Sequence, residues 1–235
     1  MSPRPYRLGQ RQVATEQTRT RIIQAARELF MAPDGFSNFS IETVARQADV
    51  ARMTVYHQFG SKLGLLEALC DSLAASGGME QLANAFRQAE PLAALNQYIL
   101  IFGGFWDEDR LVMRRLRALA ALDPDFEQVI RTRDGWRRKG VGVITQRIVE
   151  KQMPVSSKTR DEIVDVLFTL TSFETFDMLA GPAHSLQEVV PVVQKLARAA
   201  IELNEEHMTS SNTGHRSIPT EWGENEGKCF GEGMG

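Results

Sequence analysis

Residues 40–66 carry two short helical patterns separated by a tight turn, in the sequence SIETVARQADVARMTVYHQFGSKLGLL. The first pattern places apolar residues at positions i, i+3, i+4 and i+7, namely Ile41, Val44, Ala45 and Ala48. This spacing predicts a helix with one buried face. Ser40 precedes the pattern, where its hydroxyl can cap the free N–H groups of the first turn. We therefore expect a short helix that begins after Ser40.

The turn that follows contains an aspartate and a valine. Asp49 comes after the last apolar position, and aspartate is one of the few residues besides glycine that tolerate the left-handed φ of a sharp turn. Val50 is apolar within the turn, so we expect it to fill the gap between two helices. A second helix is predicted over residues 51–59, with Val55 and Phe59 facing inward. Its outer face then carries Arg52, Met53, Thr54 and His57.

An amphipathic segment precedes this pair of helices. Residues 20–31 carry an apolar stripe formed by Ile22, Ala26, Leu29 and Phe30. The helix is then broken by Pro33, Asp34 and Gly35. Three short helices, of which the last two are joined by a tight turn, have the layout of a helix-turn-helix. The last helix of such a unit enters the major groove of DNA, so the pattern points to DNA binding.

The same residues resemble the DNA-binding domain of the TetR-type (TetR/AcrR) transcriptional repressors. The resemblance covers about 50 of the 235 residues. It is carried by Ile22, Ala26, Leu29, Phe30, Gly35, Phe36, Ser40, Ile41, Val44, Ala45, Val50, Thr54, Val55, Tyr56, Phe59, Lys62, Leu65 and Leu66. The chain departs from the family where it has Asp49 instead of the usual glycine and Ala51 instead of a small polar residue. It also has Gln58–Phe59 where the family frequently has His-Phe, with His57 one place earlier.

Candidate DNA contacts come from both the residues and the resemblance. Ser40, at a helix start, can donate to a phosphate. On the outer face of the third helix, Arg52 can pair with guanine, and Thr54 can touch a thymine methyl or a phosphate; Met53 and His57 share that face. The resemblance implies that Tyr56 and Lys62 hold the DNA backbone. The alternatives are a partly buried core tyrosine and solvated side chains for Lys62 and His57.

Positive charge is concentrated near the N-terminus. Residues 1–62 contain nine Lys/Arg and five Asp/Glu, a net of +4, whereas the whole chain carries −3, which leaves −7 for the remainder. A basic unit on an acidic body suits a protein that contacts phosphates with one end. We expect residues 1–17, with Arg4, Arg7 and Arg11, to form a basic flexible arm. That arm either adds DNA contacts or is merely a solvated terminus. Residues 18–62 then form the helix-turn-helix domain.

Helical patterns continue beyond residue 62, and no alternating run argues for strands. Helices are predicted over residues 61–75, 92–105, 107–121, 124–152, 159–180 and 185–204. Asp123 and Pro124 form a start signal, and capping boxes begin at Thr159 and Ser185. The sequence therefore predicts an all-α fold of about nine helices. A helical ligand-binding and dimerisation domain covers residues 63–206, and a polar tail over residues 207–235 is expected to be disordered.

The last two predicted helices carry apolar side chains at helical spacing. They are Val166, Leu170 and Phe173 on one helix and Val192, Leu196 and Leu203 on the other. These residues either pack against a second copy as a four-helix bundle or complete the core of a single chain. The resemblance implies a homodimer through these helices. Two DNA-binding domains would also read two half-sites, as helix-turn-helix dimers do.

Large apolar side chains in the middle of the chain suggest a pocket for a small molecule. They are Phe102, Phe105, Trp106, Met113, Trp136, Phe168 and Phe176. Pockets between helices are built from such residues, although each could equally belong to the core. TetR-type proteins generally use this region to sense a ligand that changes the spacing of the DNA heads. Two arginine-rich runs, at residues 114–117 and 131–139, either attract an anion or form solvated helix faces.

Several other classes of protein find no support in the sequence. It contains no P-loop, dinucleotide-binding glycine motif, HExxH or GxSxG, so we expect no cofactor and no enzymatic activity. The four histidines and two cysteines lack the spacing of a metal site. Two cysteines, Cys70 and Cys229, suit a reducing cytoplasm. No apolar run approaches the roughly 18 residues of a membrane span, so no membrane partner is expected.

These observations predict a TetR-type transcriptional regulator, a repressor located in the cytoplasm. It would bind a palindromic double-stranded DNA operator as a homodimer and be released by an unknown small-molecule effector. Two alternatives remain open at this point. One is an all-α small-molecule-binding protein or enzyme whose helix-turn-helix likeness is accidental. The other is a DNA-binding regulator without a ligand pocket.

Overall fold

The computed structural model describes the backbone of residues 4–33, 37–152 and 156–212, and the side chains of residues 12–33, 37–151 and 156–203. Within these ranges all regular secondary structure is helical, which confirms the all-α prediction. The helices are α1 (Arg4–Met31), α2 (Ile41–Gln47), α3 (Arg52–Phe59), α4 (Lys62–Ser76), α5 (Leu82–Arg87), α6 (Pro91–Glu108), α7 (Arg110–Ala120), α8 (Pro124–Gln152), α9 (Ser157–Leu170), α10 (Phe173–Ala180) and α11 (Val190–Asn212), with a 3-10 turn at Met79–Gln81.

The described residues form eleven α-helices, more than the nine predicted. One difference is α5, a short helix without a strong start signal in the sequence. The other is a break in the predicted helix over residues 159–180. Ser172 interrupts it, because its side chain accepts a hydrogen bond from the backbone N–H of Thr175 at 3.2 Å and so caps a new helix. The cap of α9 is Ser156 rather than Thr159.

The two ends of the chain differ from the expected domain limits. Helix α1 begins at Arg4, so the backbone of residues 4–17 continues the first helix instead of forming a separate arm. The side chains of Arg4, Arg7 and Arg11 lie outside the described residues. At the other end, α11 runs to Asn212. The remainder of the predicted tail, with Cys229, lies outside the described residues as well.

Helices α1, α2 and α3 form the N-terminal head around a small core. Ile22, Val44 and Val55, one from each helix, are completely buried. Asp49 adopts a φ of 51°, which lets the chain reverse between α2 and α3 as its position predicted. Val50 is partly buried against the same core. The head is thus a compact three-helix unit with α3 on its surface.

Helix α4 connects the head to the body and shares apolar residues with both. Leu65, Leu66 and Leu69 are buried on it. Polar contacts join the head to α7 of the body and to Asp109, which immediately precedes α7. Arg27 on α1 pairs with the buried Asp109, with 2.7 Å between Nη2 and Oδ1. Arg115 donates to the backbone carbonyls at the end of α1, those of Phe30 and Ala32. Among the described helices, none combines the length and hydropathy needed to cross a membrane.

Candidate DNA-binding surface and ligand cavity

Helix α3 presents the predicted DNA-contacting residues on the outside of the head. Val55 is buried, and this fixes which side of the helix faces the core. Arg52, Met53 and His57 are exposed, whereas Thr54 and Tyr56 are half-buried. The structure therefore brings these five residues onto one short helix, with the side chains of three of them exposed.

Arg52 is held by exposed partners. Its Nη1 lies 3.1 Å from Oε1 of Glu42 on α2, and its Nη2 lies 3.3 Å from the hydroxyl of Tyr56. The guanidinium carbon also lies 5.5 Å from the centre of the Tyr56 ring. Exposed ion pairs contribute little free energy, so the guanidinium can exchange Glu42 for a base or a phosphate at small cost.

Ser40 caps α2 through a reciprocal pair of bonds with Thr43. The Ser40 Oγ accepts from the Thr43 N–H at 3.2 Å, and the Ser40 N–H donates to the Thr43 Oγ1 at 2.9 Å. The Thr43 hydroxyl donates to the carbonyl of Asn38 at 2.7 Å, which leaves its oxygen to accept from the Ser40 hydroxyl 3.0 Å away. Ser40 is thus engaged in capping, and a phosphate contact would have to replace an internal bond.

The junction between α3 and α4 contains residues that the sequence analysis missed. Gly60 ends α3 with a φ of 74°. A Cβ on Gly64 would lie 2.1 Å from the carbonyl oxygen of Phe59, so the close approach of the two helices requires glycine there. Arg19 of α1 covers the end of α3, with its guanidinium 4.5 Å from the Phe59 ring centre and a 3.0 Å bond to the Gln58 carbonyl. Lys62 is half-buried, with Nζ 5.8 Å from the centre of the Phe39 ring.

A cavity of about 370 Å³ lies in the body between α4, α6, α7 and α8. Five of the seven predicted ligand-contacting residues line it, namely Phe102, Phe105, Trp106, Met113 and Trp136. Phe168 and Phe176 do not. Phe168 lies instead under the guanidinium of Arg137, 4.0 Å from its ring centre, and Phe176 is fully buried beside Gly103. The residues that line the cavity therefore include none from α9 or α10, the helices that carry Phe168 and Phe176.

Aromatic rings form one wall of this cavity. Tyr98 and Phe102 have ring centres 4.8 Å apart, and Phe102 and Trp106 have centres 5.6 Å apart. The polar atoms of these rings bond within the body. The Tyr98 hydroxyl donates to the Arg137 carbonyl at 2.8 Å, and the Trp106 Nε1 donates to the Thr171 carbonyl at 3.1 Å. The wall therefore offers apolar ring surface to an occupant. Burial also raises the pKa of the lining thiol of Cys70 to about 11, which keeps it neutral.

Charged residues of α7 and α8 form a second wall of the cavity. From the sequence, these arginine-rich runs could equally have been solvated helix faces. Asp134 binds Arg117 through both oxygens, at 2.8 and 3.1 Å, and also accepts from Arg137 at 3.3 Å. Arg133 bonds the exposed Asp71 of α4 at 2.8 Å. All five side chains line the cavity. Their partners are far apart in the sequence, so the arginine-rich run over residues 131–139 gave no sign of which members face inward.

An apolar surface lies on α9 and α11, two helices that pack together. Val166, Val192, Leu196 and Leu203 are between 41% and 60% exposed. Leu170 is half-buried beside them. Phe173, the remaining candidate for a dimer contact, is only 3% exposed, because it opens α10 and turns inward to stack edge-on against Trp106 at 5.8 Å. It belongs to the core, and the other five residues lie at the surface or its edge.

The sequence of the head resembles known proteins, whereas the likeness of the body is found in solved structures. The family described as "Bacterial regulatory proteins, tetR family" matches residues 22–69. The transcriptional regulator SrpR of Pseudomonas putida is 46% identical over 57 residues, which cover 24% of this chain and 26% of SrpR. The regulator UidR of Escherichia coli K12 is 38% identical over 58 residues, covering 25% of this chain and 29% of UidR. The matched segment thus spans little more than a quarter of these relatives.

Solved structures extend the likeness to the body. A TetR transcription regulator from Haloarcula marismortui has a TM-score of 0.60 at 15% identity, covering 80% of this chain and 98% of its own. PfmR from Thermus thermophilus, also of the TetR family, has a TM-score of 0.52 at 22% identity, covering 75% and 96%. At such identities the likeness concerns the fold alone.

Head and body together have an all-α fold with an N-terminal helix-turn-helix. Residues 22–69 match the TetR family of bacterial regulatory proteins, and the described helices as a whole have the fold of solved TetR-family structures.

Proposed function

We propose that this protein is a TetR-type repressor that binds a palindromic operator as a homodimer. It leaves the operator when a small molecule occupies the cavity between α4, α6, α7 and α8. The observation that carries the proposal is the outer face of α3, where Arg52, Met53 and His57 are exposed on a helix anchored from behind by Val55. Side chains placed in this way can reach base edges in the major groove.

The remaining candidate contacts supply affinity without sequence preference. Tyr56 lies within α3 and Lys62 begins α4, and each is half-buried, with its aromatic or aliphatic part packed on the head. Side chains held in this way position phosphates rather than bases. The net +4 charge of residues 1–62 favours the approach of this end to DNA.

The apolar surface of α9 and α11 supports the homodimer. Exposed apolar groups gathered on one face mark an interface more often than those scattered singly. Val166, Val192 and Leu196 are such a group, on two helices that would make a four-helix bundle with the same pair in a second copy. A two-fold pair of heads would require an operator with two-fold symmetry.

The position of the cavity supports release by a ligand. Its walls include Cys70 and Leu73 of α4 and Met113 and Leu116 of α7. Helix α4 follows α3 after two residues, and α7 holds the end of α1 through Arg115. A molecule that spreads these walls would therefore move the head. A cavity of this kind also favours a ligand-controlled regulator over one with a filled core.

Selection of binding sites from random duplex DNA tests the proposal. The purified full-length protein should enrich an inverted repeat, and its affinity for that repeat should fall steeply as salt is raised. Sedimentation of the complex should show two chains per duplex. A double variant, Arg52→Ala with His57→Ala, is the matched control and should lose the enriched sequence. Failure to enrich any sequence, with affinity insensitive to salt, would contradict DNA binding, and one chain per site would contradict the homodimer.

A further inference from the structure

We propose that the cavity takes an amphipathic anion, a molecule with an apolar body and one carboxylate-like head group held by Arg133 and Arg137 of α8. The inference rests on the proposed function only in treating this cavity as the effector site. Three features of the cavity carry it: its charge balance, its unpartnered hydrogen-bond donors and its aromatic wall.

The buried charges on α7 and α8 do not cancel. Arg117 and Arg137, whose side chains are 19% and 4% exposed, share the single carboxylate of Asp134. Glu174 lies 3.5 Å from Arg117, but its side chain is 56% exposed and outside the cavity lining. Burial lowers the pKa of Arg137 even with Asp134 beside it, although an arginine remains protonated. A buried excess of positive charge is unfavourable unless an anion compensates it.

Two arginines that line the cavity also have unused donors. The Nε atoms of Arg133 and Arg137 are buried and have no hydrogen-bond partner among the described residues. Arg137 as a whole is only 5% exposed. Its terminal nitrogens are engaged, by Asp134 and by the Thr171 hydroxyl at 3.0 Å, so Nε is the donor left over. A carboxylate can accept from two such donors, and charge-assisted hydrogen bonds of this kind are the strongest that side chains make.

A cationic ligand finds no comparable partner. Two carboxylates line the cavity, those of Asp71 and Asp134. Asp134 already accepts three hydrogen bonds from Arg117 and Arg137. The side chain of Asp71 is 70% exposed and bonded to Arg133. A cation would have to break these ion pairs before it gained one of its own.

The rest of the cavity suits an apolar body. Tyr98, Phe102 and Trp106 line it with their polar atoms bonded elsewhere, as described above. A dry apolar cavity of about 150 Å³ accommodates benzene. The 370 Å³ found here therefore has room for two fused rings or a medium-length alkyl chain. Such a body is small enough to place its head group at α8 while its rings contact α6.

Two matched series of compounds test the inference by calorimetry on the full-length protein. One is 2-naphthylacetate, 2-(2-naphthyl)ethanol and 2-(2-naphthyl)ethylammonium. The other is decanoate, decanol and decylammonium, used below their aggregation concentrations. Within each series the apolar body is constant and the head group changes charge. In at least one series the carboxylate should bind roughly tenfold or more tightly than its alcohol and its ammonium analogue.

Arg133→Gln removes one donor and should abolish most of that tenfold preference. Arg131→Gln is the matched control, because Arg131 is exposed on the same helix and pairs with Glu127. The inference is overturned if the alcohols or ammonium compounds bind as well as the carboxylates, if no compound binds, or if Arg133→Gln keeps the preference. Operator binding is measured separately. A carboxylate that binds without displacing the operator would leave the anion site intact and contradict the effector role.

Discussion

The bonds of Ser40 and Arg52 in the head and those of Arg117 and Thr171 around the cavity differ in the distance along the chain between the bonded residues. In the head, the cap of α2 joins residues three apart, and Arg52 and Glu42 are ten apart. Around the cavity, Arg117 and Asp134 are 17 apart, and Arg137 and Thr171 are 34 apart. Local pairs are specified by spacing rules for helices, caps and turns. Distant pairs depend on how whole helices pack, and no spacing rule describes them.

A substitution at the contact between the head and the body should cause the largest loss of stability. Replacing Arg27 by Met leaves the carboxylate of Asp109, which is 7% exposed, without a counter-charge. We expect the free energy of unfolding to fall by about 3 kcal/mol, as when one member of a buried ion pair is removed. Chemical denaturation followed by circular dichroism measures it. Arg21→Met, an exposed arginine on the same helix, should change stability by less than about 0.5 kcal/mol.

A double-mutant cycle decides whether that loss belongs to the pair. Adding Asp109→Asn to Arg27→Met removes the uncompensated charge and should restore part of the lost stability. The two single changes would then be non-additive, as expected for residues in direct contact. Additive losses would mean that Arg27 contributes through packing alone, and that head and body are joined by their apolar contacts rather than by charge.

Within the head, substitutions of base-contacting and phosphate-contacting residues should have different effects on DNA binding. Arg52→Ala should reduce discrimination at one base pair of the selected operator, at a cost of about 1–3 kcal/mol, because a guanidinium pairs with guanine through two donors. Lys62→Ala should weaken binding to all sequences about equally and reduce the salt dependence. Binding to the operator and to its single-base variants measures both effects. An unchanged sequence preference in Arg52→Ala would assign the base contact to another residue of α3.

The same contrast explains what the sequence could and could not predict. The apolar stripe of α2, the turn at Asp49 and the start of α8 at Pro124 follow local rules, and the structure has all three. The break at Ser172 was missed because apolar spacing continues across it. Phe173 and Trp106 were each recognised as large apolar residues, yet nothing local showed that they contact one another. The inward-facing members of the arginine-rich run on α8 depend on the packing of α7 and α9.

Two glycines of α8 provide a matched test of this distant packing. A Cβ on Gly140 would lie 2.7 Å from the Tyr98 hydroxyl and 3.2 Å from the Phe86 ring, whereas one on Gly142 would meet nothing within 4 Å. Both changes to alanine gain up to about 1 kcal/mol of helix propensity. We expect Gly142→Ala to keep this gain and Gly140→Ala to lose a net of about 1–2 kcal/mol through overpacking. Since Gly140 lines the cavity, its variant should also bind the preferred naphthyl or decyl compound less tightly.

Equal stability of these two variants would contradict the close packing of α8 against α6. The comparison is independent of any assumption about function, because it measures unfolding alone. It also tests the shape of the cavity directly, since Tyr98 and Gly140 form adjacent parts of its lining.

The smallest effect is expected from a purely local change in the head. Helix α3 begins after Ala51, which occupies the capping position with a φ of −66° and ψ of 143° but has no side chain that can cap. Serine at that position can accept a hydrogen bond from the second or third N–H of the helix. Ala51→Ser should therefore raise the free energy of unfolding by about 0.5–1 kcal/mol.

Ser40→Ala provides the reverse experiment on α2, where a working cap would be removed at a similar cost. If both changes follow the capping rule, the stability of the head is set by local terms that can be read from its sequence. If Ala51→Ser has no effect while Ser40→Ala destabilises, α3 is held in place by the burial of Val55 and by Arg19 at its far end, and its geometry depends on distant packing, as the cavity does.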